Sequence, residues 1–327
     1  MRKATTFIFA LVCIAASVCD AAAFTLKNKN AARGGTENQS AERTQATDPA
    51  VIVTMCVASG NVTVRGWNRR EVRAASANAA DILLQHSTEK SASSPATRLE
   101  VTVIDSINGG RGRASNSCSA YSDVVLDVPR GASLELKTVS GDIRLEDVAE
   151  ARVQTVSGTL RARRIGKGIE AISVSGNMYL EDSSGAARLR SVSGAIEARG
   201  LTASATGDDL DINSTSGSIS LERIGQTRVE VSTVSGRINI AGALARGGRY
   251  RFKTLSGNID LLLQHDASFQ FNARVSRGGD ILFDNLPFNF TSDDSRSASR
   301  SVNGFFGAGD ATLTLSSFSG TLRLRRQ

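Results

Sequence analysis

Helical pattern is almost missing from this 327-residue chain. Apolar residues seldom recur at the three- and four-residue spacing of a helix face. Residues 75–85 alone fit a helical turn, and there Ile82, Leu83 and Leu84 suit a strand equally well. Aromatics make up 5% of the residues and Trp67 is the only tryptophan, so the stacking platforms of single-strand nucleic-acid binders are lacking. Nucleic acid is therefore not an expected partner. The two histidines, His86 and His265, lie far apart and make a poor zinc set with so few cysteines. Beyond the first 23 residues, no run approaches the ~18 apolar residues that a membrane helix needs.

The first 23 residues have the three parts of a secretory signal. Arg2 and Lys3 are the positive start, Phe7 to Val18 the apolar stretch, and Ala21-Ala22-Ala23 the small-residue cleavage site before Phe24. A lipid anchor at Cys19 is disfavoured because Val18 stands where a small residue is wanted. The mature chain is thus expected to be exported, to the periplasm, the outer surface or the medium, with no membrane span left after cleavage. Cleavage leaves Cys56 and Cys118, which in an oxidising compartment are either a disulfide or two free thiols. Residues 24–50, with Gly34-Gly35 and Asn38-Gln39-Ser40, suit a flexible linker.

What the chain does have is one short unit, many times over. Thr138-Val139-Ser140-Gly141 is followed by copies ending at Gly158, Gly176, Gly194, Gly217, Gly236, Gly257 and Gly320. Most return about every 17 to 23 residues, the mark of a stacked repeat. Around each copy apolar residues alternate with polar ones, as in Val153, Thr155 and Ser157 followed by Leu160 and Ala162. Period-two alternation means strand. Each unit is therefore two short strands meeting at a glycine corner. One unit has no core of its own, but stacked units bury a continuous one. Nine or so layers at ~4.8 Å give a rod of roughly 40 to 45 Å.

The fold class is therefore all-β, a solenoid-like stack over 51–327. Residues 51–133 form an N-terminal cap and first strands, and 134–327 the Ser-Gly repeats. The cap includes Val51 to Val64, a variant of the unit, with Trp67 packing behind it. Gly109 to Tyr121 and Ser292 to Gly304 are polar insertions. The alternation also assigns faces. Both hydroxyl residues before each glycine share the inward phase of the aliphatics. The residue between them points out: Val139, Val156, Val174, Val192, Val234, Leu255 and Phe318. This column is an interaction ladder unless another segment covers it.

These residues resemble a bacterial family of exported β-strand-repeat proteins of unknown function that carry the label "putative adhesin". The likeness rests on Ser59-Gly60-Asn61-Val62-Thr63-Val64-Arg65-Gly66-Trp67, on Val128-Pro129-Arg130-Gly131-Ala132-Ser133-Leu134, and on the Val-Ser-Gly-x-Ile series. It spans roughly 50–327, departs from the pattern at Gly278-Gly279-Asp280, and offers no catalytic residues to transfer.

Chemistry would need clustered carboxylates on one face. The candidates are Asp208, Asp209 and Asp211, then Asp280 with Asp284, then Asp293-Asp294, and each is more simply a solvated turn. No calcium loop or phosphate loop is present, and no cofactor is expected. Inward hydroxyls also disfavour an ice-binding ladder. The leading expectation is a non-catalytic envelope module that binds or scaffolds a protein, glycan or anionic lipid. A membrane-sensing accessory using Arg323, Arg325 and Arg326 is the alternative, and a carbohydrate-active enzyme the third. N-terminal sequencing of the exported protein should start at Phe24; a chain beginning at Met1 would remove the signal-peptide assignment.

Overall fold

The computed structural model describes residues 41–87, 95–105, 118, 120–284, 289–294 and 300–326. The signal segment 1–23, the arm to residue 40 and most of the Gly109–Tyr121 insertion lie outside the described residues. No helix occurs among the described residues, which form 26 strands. Alternating side chains need two surfaces, one dry and one wet, and a pair of facing sheets supplies them. One face carries the longer strands, such as Glu150–Ser157 and Gly168–Ser175. The other carries short ones, such as Leu160–Arg163 and Met178–Glu181. Within each face the repeats pair in parallel, residue on residue.

The core follows from that register. On the long-strand face Leu136, Val153, Ala171, Leu189, Ile212, Val231 and Phe252 stack in one column. Leu145, Ala162, Leu180, Ala198, Leu221 and Ile240 stack opposite them on the short-strand face. All are buried.

The corner between the two faces is a column of glycine backbones. A Cβ added to Gly141, Gly158, Gly176, Gly194, Gly217, Gly236, Gly257 or Gly320 would sit 1.8 to 2.3 Å from the carbonyl oxygen of the glycine one layer away. Backbone conformation is a secondary matter. Gly194 has φ +126°, whereas Gly176 and Gly236 are outside the positive-φ set and have as little room. Gly279 belongs to the column too, against the Gly320 carbonyl. The break in the motif at Gly278-Gly279 therefore loses the serine but keeps the residue that matters for stacking.

Layer order differs from chain order at both ends. Ala41–Ser59 and Val62–Trp67 are not the cap. They pair with Ser133–Ser140 and Ile143–Glu146 on one side, and with Ala96–Asp105 and Val124–Pro129 on the other. The end is closed instead by antiparallel strands, Glu71–Ser76 and Ala79–Ser87, so the helical option for 75–85 is not taken. At the far end Ala311–Ser317 and Leu322–Arg326 slot between the layer of Arg249–Leu263 and that of Phe269–Asp284. The expected loop 292–304 contributes strands Asn289–Asp294 and Arg300–Phe306, paired antiparallel. Phe269, Phe271, Phe283 and Phe306 meet at this end, with ring centroids 5.5 to 6.2 Å apart. Large rings cover the core at this end.

The first strand also starts earlier than composition suggests. Ala41–Ala46, inside the expected linker, pairs antiparallel with Glu71–Ser76. An edge strand needs backbone partners more than apolar side chains, so polar residues hide it in the sequence.

Because space and not φ sets the glycine requirement, Gly176→Ala should cost about 3 kcal/mol in urea unfolding, as overpacking does. Gly207→Ala, with nothing within 4 Å, should cost about 1 to 2 kcal/mol through its left-handed φ alone. A neutral Gly176→Ala would refute the steric account.

Candidate interaction face

Every repeat carries two hydroxyls, and the structure separates their roles. The first is buried in all eight copies: Thr138, Thr155, Ser173, Ser191, Ser214, Thr233, Thr254 and Ser317. Thr138, Thr155 and Ser191 donate to the carbonyl two residues on, at 3.0, 2.9 and 3.1 Å, which closes the corner within a layer. The second hydroxyl is not buried, which corrects the expectation that the pair points inward together. The chain is already turning at that position, so alternation no longer holds. Its serine instead reaches one layer back. Ser157, Ser193 and Ser216 donate to the carbonyls of Val139, Val174 and Val192 at 3.2 to 3.4 Å.

The residue between the hydroxyls faces solvent. Val139, Val156, Val174, Val192, Val234, Leu255 and Phe318 are each 45 to 51% exposed. Pairing of their neighbours places them in one straight column, with Thr215 in the layer between Val192 and Val234. A shallow groove of about 380 Å³ opens there, lined by Val192, Ser214, Thr215, Thr233 and Val234. None of the described segments covers the column.

Farther from the corner the same face carries charge. Arg152 meets Glu170 at 2.9 Å and Arg251 meets Glu230 at 3.7 Å, each across neighbouring layers. Such exposed pairs contribute about 1 kcal/mol at most. They match charges on adjacent layers and so oppose slippage by a layer. Toward the N-terminal end Cys56 and Cys118 form a disulfide with Cα atoms 4.8 Å apart, closing a span of 62 residues. In the chain-entropy picture a loop of that size is worth about 4 kcal/mol. Beside the bridge lies a cleft of about 580 Å³ lined by Cys56, His86, Arg98, Glu100, Glu135 and Lys137.

The acidic candidates are dispersed and occupied. Asp208 accepts from the Ser204 hydroxyl and from the Ser204 and Ala205 amides at 2.7 to 2.8 Å. Those donors, the Ser204 hydroxyl first, hold its carboxyl below the usual range. Asp209 pairs with Arg228 at 3.1 Å, and Asp211 accepts from Asn213 at 2.7 Å. Asp280 pairs with Arg300, and Asp284 lies 3.8 Å from Arg323. The side chains of Asp293 and Asp294 lie outside the described residues. Among the described residues no three His, Cys, Asp or Glu side chains come together as a metal set. His86 sits on the edge strand Ala79–Ser87, and His265 accepts from Arg326 at 2.9 Å. Trp67 donates to the Glu71 carbonyl at 2.8 Å with Arg69 over its ring.

The basic terminus is likewise engaged. Arg323 faces Asp284, and Arg326 both donates to His265 and lies over Phe306. Arg325 alone of the three is exposed.

A second corner, in the loops such as Arg164 to Gly168 that close each unit, joins the faces on the opposite side. Asp147, Arg164, Asp182 and Arg223 hold φ between 45° and 59° there, and Gly200 and Gly242 take up positive φ in two further layers. Arg164 donates twice to Asp147, at 2.9 and 2.6 Å, which pulls the Asp147 carboxyl down. The only sequence signal was the pair of glycines, since Asp and Arg do not advertise a left-handed turn.

The family model of Toastrack DUF4097 matches residues 61–325. Among solved structures, a "putative cell adhesion protein" from Clostridium sporogenes is 8% identical, with 88% of this chain and 100% of that chain covered and a TM-score of 0.23. A "putative adhesin" from Bacteroides fragilis is 10% identical, with 89% and 98% covered and a TM-score of 0.34. No curated protein matches the sequence. With the family model spanning most of its length, the chain belongs to the Toastrack DUF4097 family.

Proposed function

We propose that this protein is an exported, non-catalytic module of the cell envelope that works by adhesin-like binding or scaffolding through its long-strand face. The observation that carries this reading is the exposed apolar column from Val139 to Phe318, uncovered by the described segments. Contiguous exposed apolar surface is where proteins meet partners. Asp208, Asp209 and Asp280, by contrast, are engaged in a turn or in ion pairs with arginines. Export rests on the signal-like residues 1–23. Membrane sensing through the basic terminus has less support, because Arg323 and Arg326 already hold partners at the C-terminal end of the stack.

The mature protein should bind native envelopes or intact cells, and Val174→Asp with Val192→Asp should lower that binding at least tenfold without changing the unfolding midpoint. Unchanged binding by this variant would sink the face assignment. Turnover of a glycan or peptide panel, abolished by Asp208→Ala or Asp280→Ala, would overturn the non-catalytic reading. Salt-sensitive binding to anionic vesicles, lost on reversing Arg325, would move the assignment to the basic terminus.

A further inference from the structure

The apolar column has a flank on each side, and the flanks differ. On the strand side, two residues before each ladder position, the outward residues are Lys137, Gln154, Ile172, Arg190, Asn213, Ser232, Lys253, Ser316 and Arg274, aligned layer by layer. That flank has four cations and no carboxylate. Lys253 lies 3.6 Å from Glu230, while Lys137, Arg190 and Arg274 have no ion-pair partner among the described residues. On the corner side, the residue after each glycine forms the other flank: Asp142, Thr159, Asn177, Ala195, Ser218, Arg237, Asn258, Thr321 and Asp280, linked layer to layer by backbone hydrogen bonds. Its carboxylates are Asp142, 3.8 Å from Arg161, and Asp280, which pairs with Arg300, in the same layers as Lys137 and Arg274.

We infer that the ladder is occupied by a second copy of this chain, packed ladder to ladder with the two stacks parallel. This deepens the proposed binding role, since it rests on the ladder being a contact face. A partner that meets every rung must share the ~4.8 Å rise of the layers, and a second copy shares it by construction. Charge then decides direction. A two-fold axis along the ladder sets each strand-side flank against the partner's corner-side flank in the same layer. Lys137 then meets the partner's Asp142, and Arg274 meets the partner's Asp280. Across the middle layers Arg190 meets Ala195, Lys253 meets Asn258 and Ser232 meets Arg237, so no like charges oppose. An antiparallel pair instead sets the strand-side flank against itself at any register. With no carboxylate in that flank, its cations go unmatched. Like-charge juxtaposition is what excludes wrong arrangements at interfaces.

The area is sufficient. Eight rungs from Val139 to Phe318 extend roughly 34 Å, and the five residue spacings from one flank to the other span at most about 17 Å. That gives at most about 570 Å² per copy, or about 1,100 Å² for the pair, which clears the ~1,000 Å² asked of a specific interface and places this one at the small end. Valines at the centre with charges at the rim match the usual anatomy of such contacts. Thr215 meets its own copy at mid-ladder, where the shallow groove lets two hydroxyls face each other.

Light scattering and sedimentation of the mature chain should show a dimer at micromolar concentration. Val192→Glu, at an exposed position, should make it monomeric with an unchanged unfolding midpoint. On a parallel axis each rung faces itself, so Val156→Cys alone and Val234→Cys alone should each oxidise to a covalent dimer. Lys137→Glu should weaken the dimer at least tenfold, and adding Asp142→Lys should restore it. A chain that stays monomeric, a dimer indifferent to Val192→Glu, or cross-linking only in a mixture of Val156→Cys with Leu255→Cys would each overturn the inference. A monomer that still binds envelopes through Val174 and Val192 would remove the second copy and leave the binding role intact. A dimer that binds no envelope would do the reverse.

Discussion

The close approach of glycine backbones at the corner is the constraint on which the remaining structure depends. Each corner carbonyl occupies the space that a side chain of the next layer would need. This holds the strands of successive layers at hydrogen-bonding distance through the turn, where a ladder would otherwise splay. The parallel pairing on both faces, the core columns and the straightness of the exposed ladder all inherit their alignment from it. Glycine's loss of conformational entropy on folding works against the stack at every layer. The apolar columns on either side offset that loss by burying nearly every inward side chain.

The hydroxyls serve the same corner at two ranges. The first pins the turn within its layer and is buried, and the second reaches one layer back to a carbonyl. Ser173, Ser214, Thr233 and Thr254 bury hydroxyl oxygens without a partner among the described residues, so packing rather than hydrogen bonding holds those copies. Because the chain turns between the two hydroxyls, the ladder residue has nowhere to go but outward. An exposed valine at that position is thus a by-product of corner geometry as well as a contact surface. The same geometry explains why the surface is so regular.

Both ends depart from simple stacking in the same way. At each end the layer nearest in sequence is not the last in space, and strands of intermediate sequence are folded over it. An exposed parallel edge invites pairing with other chains. At one end antiparallel strands close the stack, and at the other Arg300–Phe306 and the phenylalanine cluster do so. Ile52–Met55 of the first strand and Leu322–Arg325 of the last are each held between two neighbours.

Strand content, the period of the stack, the inward aliphatics and the outward column were legible in the residues, because alternation and a recurring glycine are local signals. The early start at Ala41, the strands at 289–294 and 300–306, and Gly279 as a corner member were not. Nor was the left-handed corner at Asp147, Arg164, Asp182 and Arg223. Each of these depends on which strand lies alongside, and backbone pairing leaves little mark on side-chain type. The sequence by itself determined that the chain builds layers and which way the strand side chains face, since period-two alternation sets the face of each residue up to the point where the chain turns. Only the tertiary structure decided the order of the layers and the separate roles of the two serines, since both are set by contacts between residues far apart in the chain.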